Sequence, residues 1–170
     1  MERSTQQVLL RLSLISATAT TVLTSAHHVY RLGLGVLAPA IVGIALPFVL
    51  ARWSRSTRNH VPLAGYVLFN GLVFVWFGFI DGFLDHVLKA VGLQNTTFLP
   101  GGQEKVVATV FSLWSPSASN VFYEGTGILT FVASTVMMYY SYRLVRASRF
   151  PARRRTTSPV GPGATTSSSI

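Results

Sequence analysis

Twenty consecutive residues, Val61 to Ile80, carry no charged side chain. A helix of that length crosses the hydrocarbon of a bilayer, whereas most soluble helices are far shorter. This stretch ends at once in Asp81-Gly82-Phe83-Leu84-Asp85-His86-Val87-Leu88-Lys89, which holds two of the five acidic residues in the chain. An apolar run that stops at such a segment reads as a membrane span meeting water.

Three further runs have the same character. Composition agrees: only 11% of the 170 residues are charged, against about 25% in a soluble domain. The expected fold is an all-α integral membrane four-helix bundle within residues 1–150. The spans fall at about 12–29, 34–51, 61–84 and 121–142. A short amphipathic helix is expected in the loop between spans three and four, over Gln103 to Trp114. Its apolar face would be Val106, Val107, Val110, Phe111 and Trp114. Residues 151–170, rich in Arg, Pro, Gly, Ser and Thr, read as a disordered basic tail.

The first span is weakly hydrophobic because Ser13, Ser16, Thr20, Thr24 and His27 recur at helical spacing. Small hydroxyl side chains let membrane helices pack closely, so this stripe is a packing seam that turns His27 inward. A cleavable leader ending at Thr24-Ser25-Ala26 is the competing reading, and it would leave His27 at the mature amino terminus. Arg31, Gly33 and Gly35 form a tight connection, and Pro39 and Pro47 lie in the second run. Gly71, Gly78 and Gly82 lie near one face of the third span, where another helix can approach. Ser119 or Asn120 is expected to cap the fourth helix, with Glu124 in its first turn.

Basic residues set the expected orientation. Arg3, Arg11, Arg52, Arg55, Arg58, Arg143, Arg146, Arg149 and Arg153 to Arg155 fall on one side; Arg31, Lys89 and Lys105 fall on the other. The positive-inside rule then puts both termini in the cytoplasm, in a multi-pass protein of the cell membrane. The surplus of 14 basic over 5 acidic residues is a topology signal, with anionic lipid as the partner of the tail and no role for nucleic acid. A homo-oligomer or a partner membrane subunit is compatible with a chain of this kind.

Antiparallel threading then gathers the scarce polar residues at the outer end. His27 and His28 close the first span, Asp81, Asp85 and His86 close the third, and Tyr123 and Glu124 open the fourth. His27, His28, Asp81, Asp85, His86 and Glu124 are the candidate metal ligands, with Arg31, Lys89 and Tyr123 around them. Zinc, iron, manganese and copper all accept imidazole and carboxylate. Haem between His27 or His28 and His86 is a lesser possibility. In a regular α-helix Asp85 and His86 point about 100° apart, so using Asp81 and His86 together requires the helix to loosen near Gly82.

The alternatives are a scaffold or small transporter subunit, in which Arg31, Lys89 and the carboxylates form only a structural network. No HExxH or G-x-S-x-G occurs, and Gly125-Thr126-Gly127 is too short to cradle a phosphate. The absence of cysteine excludes disulfides and thiolate sites. Asn95-Thr96-Thr97 matches a glycosylation acceptor facing outward. Phe98, Phe111 and Trp114 are expected to roof the cluster.

Overall fold

The computed structural model describes residues 2–57, 59–93, 110–111 and 113–149. Among them there is helix and no strand, and four helices are long and apolar enough to cross a membrane. Helix α1 is Glu2–Leu32, α2 is Leu37–Ser56, α3 is Val61–Ala90 and α4 is Pro116–Arg149. Most of the expected amphipathic helix, the loop from Asn95 to Gly102, and residues 151–170 lie outside the described residues. So do Phe98, Glu104 and Lys105. At the end of that expected helix, Val110, Phe111, Leu113 and Trp114 are not helical.

The packing is inverted relative to a soluble protein: its buried side chains are more often polar than apolar, and large apolar side chains such as Ile41, Val49, Leu68, Leu72 and Val132 are exposed. In lipid, apolar surface gains nothing by burial between helices, so small and hydrogen-bonding side chains make the contacts. The α1 stripe does so throughout, with Ser13, Ser16, Thr20, Thr24 and His27 all buried. Its lower end joins a network. Ser13 Oγ meets Tyr66 OH at 2.9 Å and Ser141 Oγ at 3.0 Å, and Asn70 Nδ2 donates to Ser141 Oγ at 3.0 Å.

The helices run past the expected spans. At the start of α1, Leu9 and Leu10 pack with Ala51, Tyr66 and Leu144, so the segment before residue 12 is built into the bundle. The fourth helix begins five residues before the expected Val121. Ser115 caps it, its Oγ accepting from Ala118 N at 3.3 Å, with Pro116 at the first helical position, where a missing N–H costs nothing. Glu124 therefore sits two turns in, and Ser119, expected to be a cap, bonds Tyr30 OH at 2.8 Å instead.

Between α1 and α2 the chain turns through Gly33, at φ 84°, a conformation that favours glycine, and a 3₁₀ turn at Leu34–Val36. Helix α2 continues through Pro47 and packs on α1 and the first half of α3. The most extensive pairing is α1 with α4, followed by α4 with the second half of α3.

That second half departs from α geometry. Val61–Val73 is α-helical, but Phe74–Val87 is wound as a π-helix, closing with Leu88 N donating to Phe83 O. Gly78 and Gly82 press against α4. A Cβ on Gly78 would meet Ser134 Oγ at 2.1 Å, and one on Gly82 would meet Gly127 O and Phe131 N at 3.0 Å. Gly71 does not share this contact, since a Cβ there meets nothing within 4 Å. The wider winding after Val73, about 4.4 residues per turn, rotates Gly78 roughly a quarter turn and Gly82 nearly half a turn away from the face expected for a uniform α-helix.

Candidate metal centre

The π winding decides which side chains converge. At about 100° per residue Asp81 and His86 would stand roughly 140° apart; at the π value of about 82° they stand roughly 50° apart. Asp81, Asp85 and His86 accordingly all face the bundle interior, and all are buried. The loosening that joint use of these residues demands is present, and it extends well beyond Gly82. Opposite them stand His27 and His28 at the end of α1, and Tyr123, Glu124 and Thr126 on α4.

The hydrogen bonds assign the three imidazoles the same tautomer. His28 Nδ1 lies 3.0 Å from Thr24 O, a carbonyl that can only accept, so Nδ1 carries the proton. His86 Nδ1 donates to Glu124 Oε2 at 2.8 Å. His27 Nδ1 lies 3.0 Å from Thr126 Oγ1, whose own proton is directed to the carbonyls of Phe122 and Tyr123 at 2.8 and 3.0 Å, so Nδ1 donates here too. A neutral ring with its proton on Nδ1 offers a bare Nε2. The Nε2 atoms of His27 and His86 are buried and meet no hydrogen-bonding group among the described residues.

His27 Nε2 points at a second lone-pair atom, Asp81 Oδ2, 3.9 Å away. Two acceptors held face to face are unfavourable unless a proton or a metal cation is shared between them. One ligand atom each from His27, His28 and Asp81 lies within 4.8 Å of the others. About 3.4 Å separates two ligands of one tetrahedral zinc, given bonds of about 2.0–2.1 Å, so an ion would draw the three inward by up to about an ångström.

The remaining candidates are placed around this trio. Glu124 is occupied on both oxygens, by His86 and by Lys89 Nζ at 2.5 Å, and so it orients His86. The His86 ring forms a T-shaped contact with that of His27, centroids 4.9 Å apart. Asp85 is buried beside Asp81 but lies outside the trio. Tyr123 stacks on His27 at 4.0 Å, and its hydroxyl accepts from Arg31 Nη1. Rings in such contact leave no slot for a porphyrin between His27 and His86. Trp114 packs on Tyr30 and Phe122, at the rim.

Two participants carry no marker of their own in the sequence. Thr126 anchors His27. Gly127 makes room for His86, whose Cδ2 lies 2.0 Å from where a glycine Cβ would stand. Both belong to the Gly125-Thr126-Gly127 triplet, three and four residues after Tyr123 and so on its face of the helix. In comparisons with known proteins, no family model, no curated protein and no solved structure matches the chain.

Proposed function

We propose that this membrane protein holds a divalent first-row transition metal at the outer ends of α1 and α3, bound by His27 Nε2, His28 Nε2 and an Asp81 oxygen. The observation that carries the reading is the shared tautomer: each imidazole donates its Nδ1–H to an oxygen and offers a bare Nε2. Metal-ligating histidines are held in this way, by a carbonyl, hydroxyl or carboxylate on the far nitrogen. Two imidazoles and one carboxylate are a donor set used by catalytic zinc and by non-haem iron(II), with positions left open for a reacting group. Hydrolytic or redox chemistry at the outer membrane face follows from that set, with Asp85 and His86 as neighbouring groups able to take or give a proton.

The competing reading is a structural network, favoured by the Lys89–Glu124–His86 chain, which needs no metal. Metal analysis separates the two. Protein purified from metal-replete cells is expected to carry about one equivalent of transition metal, and His27→Ala and His28→Ala to lose it. Acidification is expected to release the ion as protons compete for Nε2. Metal-free wild-type protein that cannot be loaded with zinc, iron, manganese or copper leaves only the network.

A further inference from the structure

Beside the metal ligands lies a cavity of about 430 Å³ between α1, α2 and the middle of α3. His28 and Thr24 border it on α1, Val42 and Gly43 on α2, and Phe69 and Phe77 on α3. Its wall carries no charged group apart from the ionisable His28. The volume falls in the range of small-molecule sites, about 300–1,000 Å³. The space exists because small residues face one another: Gly43 has nothing within 4 Å of a Cβ position, opposite the short side chains of α1. The space is open on one side rather than enclosed. Val42 at its edge is exposed on the lipid side of α2, so the medium at the mouth is hydrocarbon.

We infer that this cavity is the substrate pocket of the centre and takes the hydrocarbon chain of a single-chain lipid, with its one oxygen-bearing end at His28. The wall offers no cation for a phosphate and is largely apolar beyond the hydroxyls of Thr21, Thr24 and Ser25, so a hydrocarbon chain is favoured over a bulky polar head. The polar end has a reception: a ligand atom of His28 lies within 4.8 Å of those of His27 and Asp81, and the buried Thr24 Oγ1 meets no hydrogen-bond partner among the described residues. Entry is lateral, from the bilayer. The placement of the oxygen rests on the metal reading; the seating of the chain does not.

The test uses the full chain in lipid vesicles with palmitic acid carrying a photoreactive diazirine at mid-chain. Saturable labelling of α2 and α3 around Gly43 and Phe69 is expected. Gly43→Phe, which fills the cavity from an unobstructed position, should cut it about tenfold with metal content unchanged. Gly71→Phe, equally unobstructed but outside the cavity wall, is the control for folding and should leave labelling intact. Gly43→Leu serves if the larger side chain prevents folding. Metal-loaded protein labelled diffusely over its lipid-facing residues, and unaffected at Gly43, overturns the pocket. Wild-type protein that cannot be loaded with metal but still labels saturably around Gly43 upholds the pocket and overturns the metal reading alone.

Discussion

His27 shows how much one hydrogen bond decides at the residue scale. Its ring is clamped by Tyr123 on one face and anchored at Nδ1 by Thr126, so Nε2 has one direction left, towards Asp81. Thr126→Val keeps the volume but removes the acceptor. Metal affinity, measured by competition with a chelating dye, is expected to fall about 10–100-fold, the usual cost of losing such an anchor, and Thr126→Ser to restore it. An unchanged affinity in the valine variant would show that the tautomer is not held from α4. The clustering of histidines and carboxylates was legible in the sequence, because such residues are scarce in a chain this apolar and stand out at span ends. The anchors were not. A threonine in a membrane helix bonds its own i−4 carbonyl by default, and nothing local distinguishes Thr126 from Thr20 or Thr130, which do only that. The network of Ser13, Tyr66, Asn70 and Ser141 was half visible: Asn70 and Ser13 are conspicuous, whereas Tyr66 and Ser141 become partners only once α3 and α4 are packed.

At the scale of the element, α3 carries the unusual geometry. Propensity and apolar periodicity identify a span between Val61 and Ile80, but they cannot distinguish α from π winding, since both bury a face and both satisfy their backbone internally. The sequence showed only that Asp81 and His86 cannot serve one site from a regular helix. The extent of the π segment comes from the fit to α4, where Gly78 and Gly82 let the backbones approach and Gly127 receives the His86 ring. The uniform-helix expectation therefore erred at Gly71, which the changed winding turns to open space. The two glycines should respond in opposite ways. Gly82→Ala drives a methyl onto backbone atoms that cannot yield and is expected to destabilise the purified protein by about 1–3 kcal/mol in denaturant unfolding. Gly71→Ala meets nothing and gains helix propensity, so it should be neutral or stabilising by up to about 1 kcal/mol. Equal costs at both positions would mean that α3 does not meet α4 along the 78–82 edge.

For the molecule as a whole, the decisive quantity is the distribution of charge between the two ends of the bundle. Four spans return the chain to the side on which it began, and one end carries Arg11, Arg52, Arg55, Arg143 and Arg146, whereas the other carries the buried imidazoles and carboxylates. Segregation of this kind was legible before any packing was known, because it needs only the order of spans and the positions of arginine. Its consequence for the proposed function is a direction: if the arginine-rich end is cytoplasmic, the proposed metal centre would exchange ions and polar products with the exterior, and the proposed pocket would draw its ligand from the bilayer. The absence of cysteine makes the direction easy to measure. Leu93→Cys, at an exposed position past the end of α3, is expected to react with a membrane-impermeant maleimide on intact cells. His60→Cys, exposed in the loop between α2 and α3, should react only after the cells are opened. The reverse pattern would place the histidines on the cytoplasmic face and require the arginine-rich loops to have crossed the membrane, against the positive-inside bias.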